Sequence, residues 1–142
     1  MKKILIICAN FYPEISKLLK QGAISELENS KIKYDIIDIS GCLEIPIVIS
    51  LANQKSQYSG YIALGCIIRG QTSHYDHIAN ECIRSISELA VINKLAIGNA
   101  ILTVENIEQA IYRADPNKKN KAKSAVISCL ELINIKDNLF KK

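Results

Sequence analysis

A chain of 142 residues, 49% of them hydrophobic, has the size of one domain and can bury about 70% of the surface its unfolded form exposes. The net charge of +4 is too small for a nucleic-acid partner, and its densest part, Lys118, Lys119, Lys121 and Lys123, has no aromatic interleaving and reads as a solvated helix start. The five cysteines, Cys8, Cys42, Cys66, Cys82 and Cys129, form no CxxC pair, so neither a disulfide framework nor a zinc site is expected, and a reduced, cytoplasmic compartment is.

Residues 3–9 form an apolar run too short for a signal peptide or a membrane span, and the stretch from Asn10 to Glu14 interrupts it; they predict a first strand, and no membrane partner. Residues 15–28 have helical period, 33–39 read as a second strand and 44–54 as a second helix. Residues 60–68 predict a third strand, 73–93 a long helix and 95–102 a fourth strand. Two helices follow at 105–114 and 120–135, separated at Pro116. Near-continuous Ile, Leu and Val in the strands, without polar alternation, predicts a parallel sheet covered on both faces, a doubly wound α/β architecture. With no repeat and no long linker, residues 1–142 are expected to form a single domain.

In such sheets ligands bind beyond the carboxyl ends of the strands, which selects the loops at residues 10–14, 40–44, 69–73 and 103–105. Phe11, one of two phenylalanines, lies in the first and offers an aromatic platform for a flat ring. Glu44 suits the first turn of a helix ahead of Pro46, where a carboxylate either complements the dipole or accepts hydrogen bonds from polyol hydroxyls. The third loop, Ile68-Arg69-Gly70-Gln71-Thr72-Ser73-His74, leads from a strand into a helix, with Ser73 and Asp76 spaced as a capping-box variant. Unpaired N–H groups and the dipole at a helix start favour an anion, which makes Gln71 and Thr72 candidate phosphate ligands.

His74 falls in the first turn of that helix, where the positive dipole end favours a neutral imidazole; it reads either as a capping or surface residue or as a proton carrier. His77 completes a His-x-x-His pair, but no third ligand stands at a recognisable spacing, so no metal is expected. Arg113, near a helix end, complements the C-terminal dipole, and Lys121 belongs to the solvated lysine run.

Three blocks together resemble the lumazine synthase family. The most specific is Ala63-Leu64-Gly65-Cys66-Ile67-Ile68-Arg69-Gly70-Gln71-Thr72-Ser73-His74-Tyr75-Asp76, similar in order and spacing to the family's strand, Arg-Gly loop and histidine. The second is Ile101-Leu102-Thr103-Val104-Glu105-Asn106-Ile107-Glu108-Gln109-Ala110, ending at Arg113, and the third is Gly41-Cys42-Leu43-Glu44-Ile45-Pro46. The resemblance runs from Ile4 to Ile135. It implies a three-layer flavodoxin-like fold with a central four-stranded parallel sheet and helices on both faces. It also implies an enzyme, without cofactor, that joins 5-amino-6-(D-ribitylamino)uracil to 3,4-dihydroxy-2-butanone 4-phosphate in riboflavin biosynthesis, releasing phosphate and water to give 6,7-dimethyl-8-ribityllumazine. The chemistry suits a chain without a Ser, Cys or Lys nucleophile arrangement, because the pyrimidine brings its own amine and the protein need only position substrates and move protons.

By the same resemblance Phe11 stacks on the pyrimidine, Cys66, Ile67 and Ile68 line the ring pocket through backbone groups, and Cys42, Leu43 and Glu44 bind the ribityl chain. Gln71 and Thr72 take the phosphate with help from Arg113, His74 moves the proton, and Lys121 lies near the ribityl and phosphate region. The family's pocket lies between neighbouring subunits, which implies that Arg113 and Lys121 serve the site of an adjacent chain.

Some positions depart from the family pattern. Cys42 and Leu43 stand where alanine and then Phe or Tyr are usual, which implies a looser ribityl wall. Asn99 occupies a place that is often aromatic and removes a ring contact from the neighbour. The connection Asp115-Pro116-Asn117-Lys118-Lys119 lacks the family's glycine, and little precedes the first strand; both imply a free homopentamer in place of a large shell. Among rival folds, a receiver domain needs acidic residues where Cys8-Ala9-Asn10 stand, and a flavodoxin needs a hydroxyl-rich loop that Asn10-Phe11-Tyr12-Pro13 does not provide. The alternatives that share the fold are a riboflavin synthase, which releases no phosphate, and a non-catalytic paralogue binding flavin-like ligands.

Overall fold

The computed structural model describes residues 3–55, 57–70, 73–139 and 141; Gln71 and Thr72, the candidate phosphate ligands, lie outside the described residues. The first strand, β1 (Lys3–Ala9), is buried from Ile4 to Ala9. Ile4, Ile6 and Cys8 enter one core while Leu5, Ile7 and Ala9 enter the other, as expected for a strand covered on both faces. Each fully buried Ile or Leu here contributes about 2 kcal/mol.

The elements that follow are α1 (Pro13–Asn29), β2 (Tyr34–Ile39), a 3-10 turn (Cys42–Glu44), α2 (Ile45–Asn53), β3 (Tyr58–Ile68), α3 (His74–Asn93), β4 (Ile97–Val104), α4 (Ile107–Ala114) and α5 (Lys121–Asn138). The strands pair in parallel in the order β2-β1-β3-β4. Helices α1, α4 and α5 cover the face of Ile4 and Ile6, and α2 and α3 cover the face of Leu5 and Ile7. This is the three-layer α/β arrangement expected from the alternation of the sequence.

Differences from the predicted boundaries have local causes. α1 begins at Pro13, whose missing N–H costs nothing in a first turn. Lys94 ends α3 in left-handed backbone, with φ 56°, and the Leu95 N–H reaches back to the Ala90 carbonyl; β4 therefore starts at Ile97 and runs on to Val104, in register with Ile68. Asn106 caps α4 by accepting from the Gln109 N–H, which delays that helix to Ile107. The uniform cover expected of the strands fails at β2, an outer strand, where Ile36 and Ile37 remain 37% and 38% exposed.

From β1 the chain steps to β2 on one side and then returns to β3 on the other, so the strand order reverses between β1 and β3. Loops leaving a reversal point diverge and open a crevice at the carboxyl ends. Gly65 of β3 lets the 3-10 turn close onto the sheet there, since a Cβ at that position would lie 2.6 Å from the Cys42 Sγ.

Candidate active site

A cleft of about 360 Å³ occupies that crevice. One wall is the end of β3. Pairing with β1 stops at Leu64, whereas pairing with β4 continues to Ile68, so the β1 side of Cys66, Ile67 and Ile68 faces the cleft and not another strand. A strand edge of this kind presents backbone donors and acceptors in one plane, which suits a flat heterocycle. Phe11 stands at the mouth, 69% exposed, its ring 4.9 Å from that of Tyr12 at an interplanar angle of 72°.

The opposite wall is the 3-10 turn, with Cys42 buried and Leu43 and Glu44 exposed. Glu44 is the residue before α2, not inside its first turn, and its side chain makes no capping hydrogen bond. The dipole of α2 still favours its carboxylate. The turn is anchored from behind, where the Cys82 thiol donates to the Cys42 carbonyl at 3.2 Å. Burial pushes the Cys42 thiol up to about 12 and the Cys66 thiol up to about 11. Both stay protonated near neutral pH and act as wall atoms, not as nucleophiles.

His74 opens α3 and reaches the cleft together with Tyr75 and Ile78. The predicted capping box does not form. Ser73 has helical backbone, φ −74° and ψ −3°, in place of the extended backbone of a capping residue, its side chain makes no capping hydrogen bond, and the Asp76 carboxylate pairs with Arg69.

The cleft thus gathers Phe11, Cys42, Leu43, Glu44, Cys66, Ile67, Ile68 and His74 from the predicted residues. Sequence reasoning missed Tyr12, Gly41, Gly70, Tyr75 and Ile78. A signal existed for two of them: Tyr12 adjoins Phe11, and Ile78 lies four residues after His74 on one helical face. Three predicted residues are not brought here within one chain. Asn99 and Lys121 line a separate hollow between the free edge of β4 and α5, with Ser124 and Ser128. The Asn99 side chain accepts from the Ile101 N–H at 2.8 Å, occupying a donor that an outer strand would otherwise leave open. Arg113, on α4, donates to the Gln109 carbonyl at 3.3 Å and lines neither space. Among the described residues no group of three His, Cys, Asp or Glu side chains could hold a metal ion, and no helix is long and apolar enough to cross a membrane.

Fold and cleft define a class: a doubly wound, flavodoxin-like α/β protein whose ligand site lies at the reversal of strand order, walled by a strand edge, an aromatic ring, a carboxylate and a helix-start histidine. The sequence profile of the 6,7-dimethyl-8-ribityllumazine synthase family matches residues 1–137. The 6,7-dimethyl-8-ribityllumazine synthase of Bartonella tribocorum is 48% identical over 134 residues, 94% of this chain and 89% of that protein. Those of Zymomonas mobilis and Paramagnetospirillum magneticum are 40% and 38% identical, each over 98% of this chain and 99% and 97% of their own lengths. The chain belongs to the 6,7-dimethyl-8-ribityllumazine synthase family.

Proposed function

We propose that this cleft is the active site at which the chain, a single synthase domain, condenses 5-amino-6-(D-ribitylamino)uracil with 3,4-dihydroxy-2-butanone 4-phosphate. The product is 6,7-dimethyl-8-ribityllumazine, with phosphate and water released, a transferase step of riboflavin biosynthesis. The observation that carries the reading is the convergence of Phe11, the Cys66 to Ile68 edge, Glu44 and His74 on one cleft. The Phe11 ring stacks on the pyrimidine while the strand edge hydrogen-bonds its periphery. Glu44, with Cys42 and Leu43 beside it, accepts hydrogen bonds from the ribityl hydroxyls. The amine of the pyrimidine attacks the ketone, His74 carries the proton needed for imine rearrangement and loss of phosphate, and Gln71 and Thr72 hold the phosphate at the start of α3.

Arg113, Lys121 and Asn99 act, in this reading, on the site of a neighbouring copy in a homopentamer. Support comes from the free edge of β4 beside Asn99 and from exposed apolar side chains that need cover, Leu43, Ile47 and Leu51 on one side and Ile127 and Ile135 on the other. Free, buried cysteines fit a reduced cytoplasm. The test is lumazine formation from the two substrates, with the uncatalysed condensation subtracted and His74→Ala run alongside. Protein-dependent product that falls in the variant is expected; product at background with ligand still bound would replace the enzyme with a binding protein.

A further inference from the structure

We infer that Arg69 is a positioning residue of this active site, holding the Tyr75 wall and, through the first turn of α3, His74; the inference rests on reading the cleft as the place of reaction. The Arg69 N–H ends the β3–β4 pairing by donating to the Val104 carbonyl at 2.8 Å. Its side chain then meets three partners at once. Nε lies 3.0 Å from Glu105 Oε2, Nη2 lies 3.3 Å from Asp76 Oδ1, and the guanidinium carbon sits 4.6 Å from the centre of the Tyr75 ring. Asp76 and Tyr75 belong to the first turn of α3, next to His74, and Glu105 belongs to the β4–α4 connection.

Glu105 is itself held. Its N–H donates to Gln109 Oε1 at 2.8 Å, and the Gln109 N–H donates to Asn106 Oδ1 at 2.9 Å. A line of contacts therefore runs from the capped start of α4 through Glu105 and Arg69 to the start of α3. Arg69, Glu105 and Asp76 have side chains 41%, 58% and 53% exposed, and ion pairs so wet add little to stability. What the arrangement does supply is direction. The planar guanidinium gives one nitrogen to each carboxylate and its face to the ring, which fixes the rotation of Tyr75 against the cleft. Lysine, with a single ammonium, cannot meet both carboxylates and cover the ring in that geometry.

The experiment compares Arg69→Ala, Arg69→Lys, Glu105→Gln and His74→Ala. It reads kcat, KM for each substrate, the thermal midpoint and the NMR signals of the Tyr75 ring in tyrosine-labelled protein, assigned with Tyr75→Phe. Arg69→Ala is expected to lower kcat about tenfold, with KM for the pyrimidine changed less, since small misplacement of catalytic groups acts on turnover. The midpoint should stay within about 3 °C and the Tyr75 signals should shift. Arg69→Lys recovers part of the loss, and Arg69→Ala combined with Glu105→Gln is no worse than Arg69→Ala alone, because the two residues act in one line. Wild-type kcat in Arg69→Ala beside a disabled His74→Ala would overturn the inference and leave the site standing. Unchanged turnover in both would remove the site and the inference together. If Arg69→Ala does not fold, Glu105→Gln decides: a smaller fall in kcat with shifted Tyr75 signals supports the inference, and no change in either overturns it.

Discussion

The cleft beside His74 and the hollow beside α5 are of similar size, about 360 Å³ each, but they are built from different materials. Three connections, the end of β3 and the start of α3 form the cleft, which offers a ring, a carboxylate, a histidine and a strand edge, over a floor of buried thiols. The hollow is a seam between an outer strand and a helix, and its polar groups are the Asn99 amide, the Lys121 amine and the hydroxyls of Ser124 and Ser128. The cleft has what a flat, hydroxylated substrate needs, while Lys121 in the hollow and Arg113 on α4 supply positive charge elsewhere on the same chain. A parallel sheet explains the separation. Ligands gather at carboxyl ends in the middle of the sheet, and an outer strand turns its edge away from them. The proposed pentamer would reunite the two regions by setting one chain's seam against the next chain's cleft.

The largest expected difference between the regions is in tolerance of one methyl group. Gly98→Ala should cost about 3 kcal/mol or more in urea denaturation, because its Cβ would lie 2.0 Å from the Ala125 carbonyl oxygen and α5 would have to move. Gly41→Ala, at the cleft, meets nothing nearer than Glu44 Oε1 at 3.6 Å and should stay within about 1 kcal/mol. Equal stabilities would erase the contrast. Complementation sharpens it next. His74→Ala and Arg113→Ala chains, each weak alone, should regain about a quarter of wild-type activity when refolded together, since random mixing leaves one interface in four with both residues intact. No recovery would mean that both residues serve a site within one chain.

A smaller effect separates the two substrates. Arg113→Ala should raise KM for the phosphate substrate about tenfold and leave that for the pyrimidine nearly unchanged, because one charged hydrogen bond is removed from an anion; equal rises would reject a phosphate role. The smallest effect concerns the thiols. Cys129, on α5 where it packs against the sheet, is fully buried, whereas Cys66 is 6% exposed in the cleft. Burial raises the pKa of each to about 11, so at pH 8 only about one thiol in a thousand is ionised and alkylation should be slow, quickening about tenfold per pH unit as the thiolate fraction grows. Mass spectrometry should find Cys66 labelled before Cys129, and bound pyrimidine should protect Cys66. The reverse order would place the accessible space between β4 and α5 and not at the end of β3.

Much of the candidate site was legible because the rule that selects it is local. Strand ends at residues 9, 39 and 68 follow from apolar runs, and Phe11, Glu44 and His74 stand just beyond them. Tyr75 and Arg69 escaped that reading because their roles depend on Glu105, which is 36 positions from Arg69. The predicted capping box failed for the same reason, since the Asp76 carboxylate had a better partner across the loop than Ser73 offered within it. The exposure of β2 was hidden because its run of isoleucines looks like that of an inner strand.

By itself the sequence determined the alternation of strands and helices, the parallel sheet buried on both faces, and the motif residues at the strand ends, because periodicity and helix-start chemistry act over a few residues. Only the tertiary structure decided which strands lie at the edges, that Cys42 packs over Gly65, that Arg69 ties the start of α3 to Glu105, and that Asn99 and Lys121 face away from His74. Those are contacts between segments far apart in the chain, and their geometry is set by strand order and by the space each side chain leaves for the next.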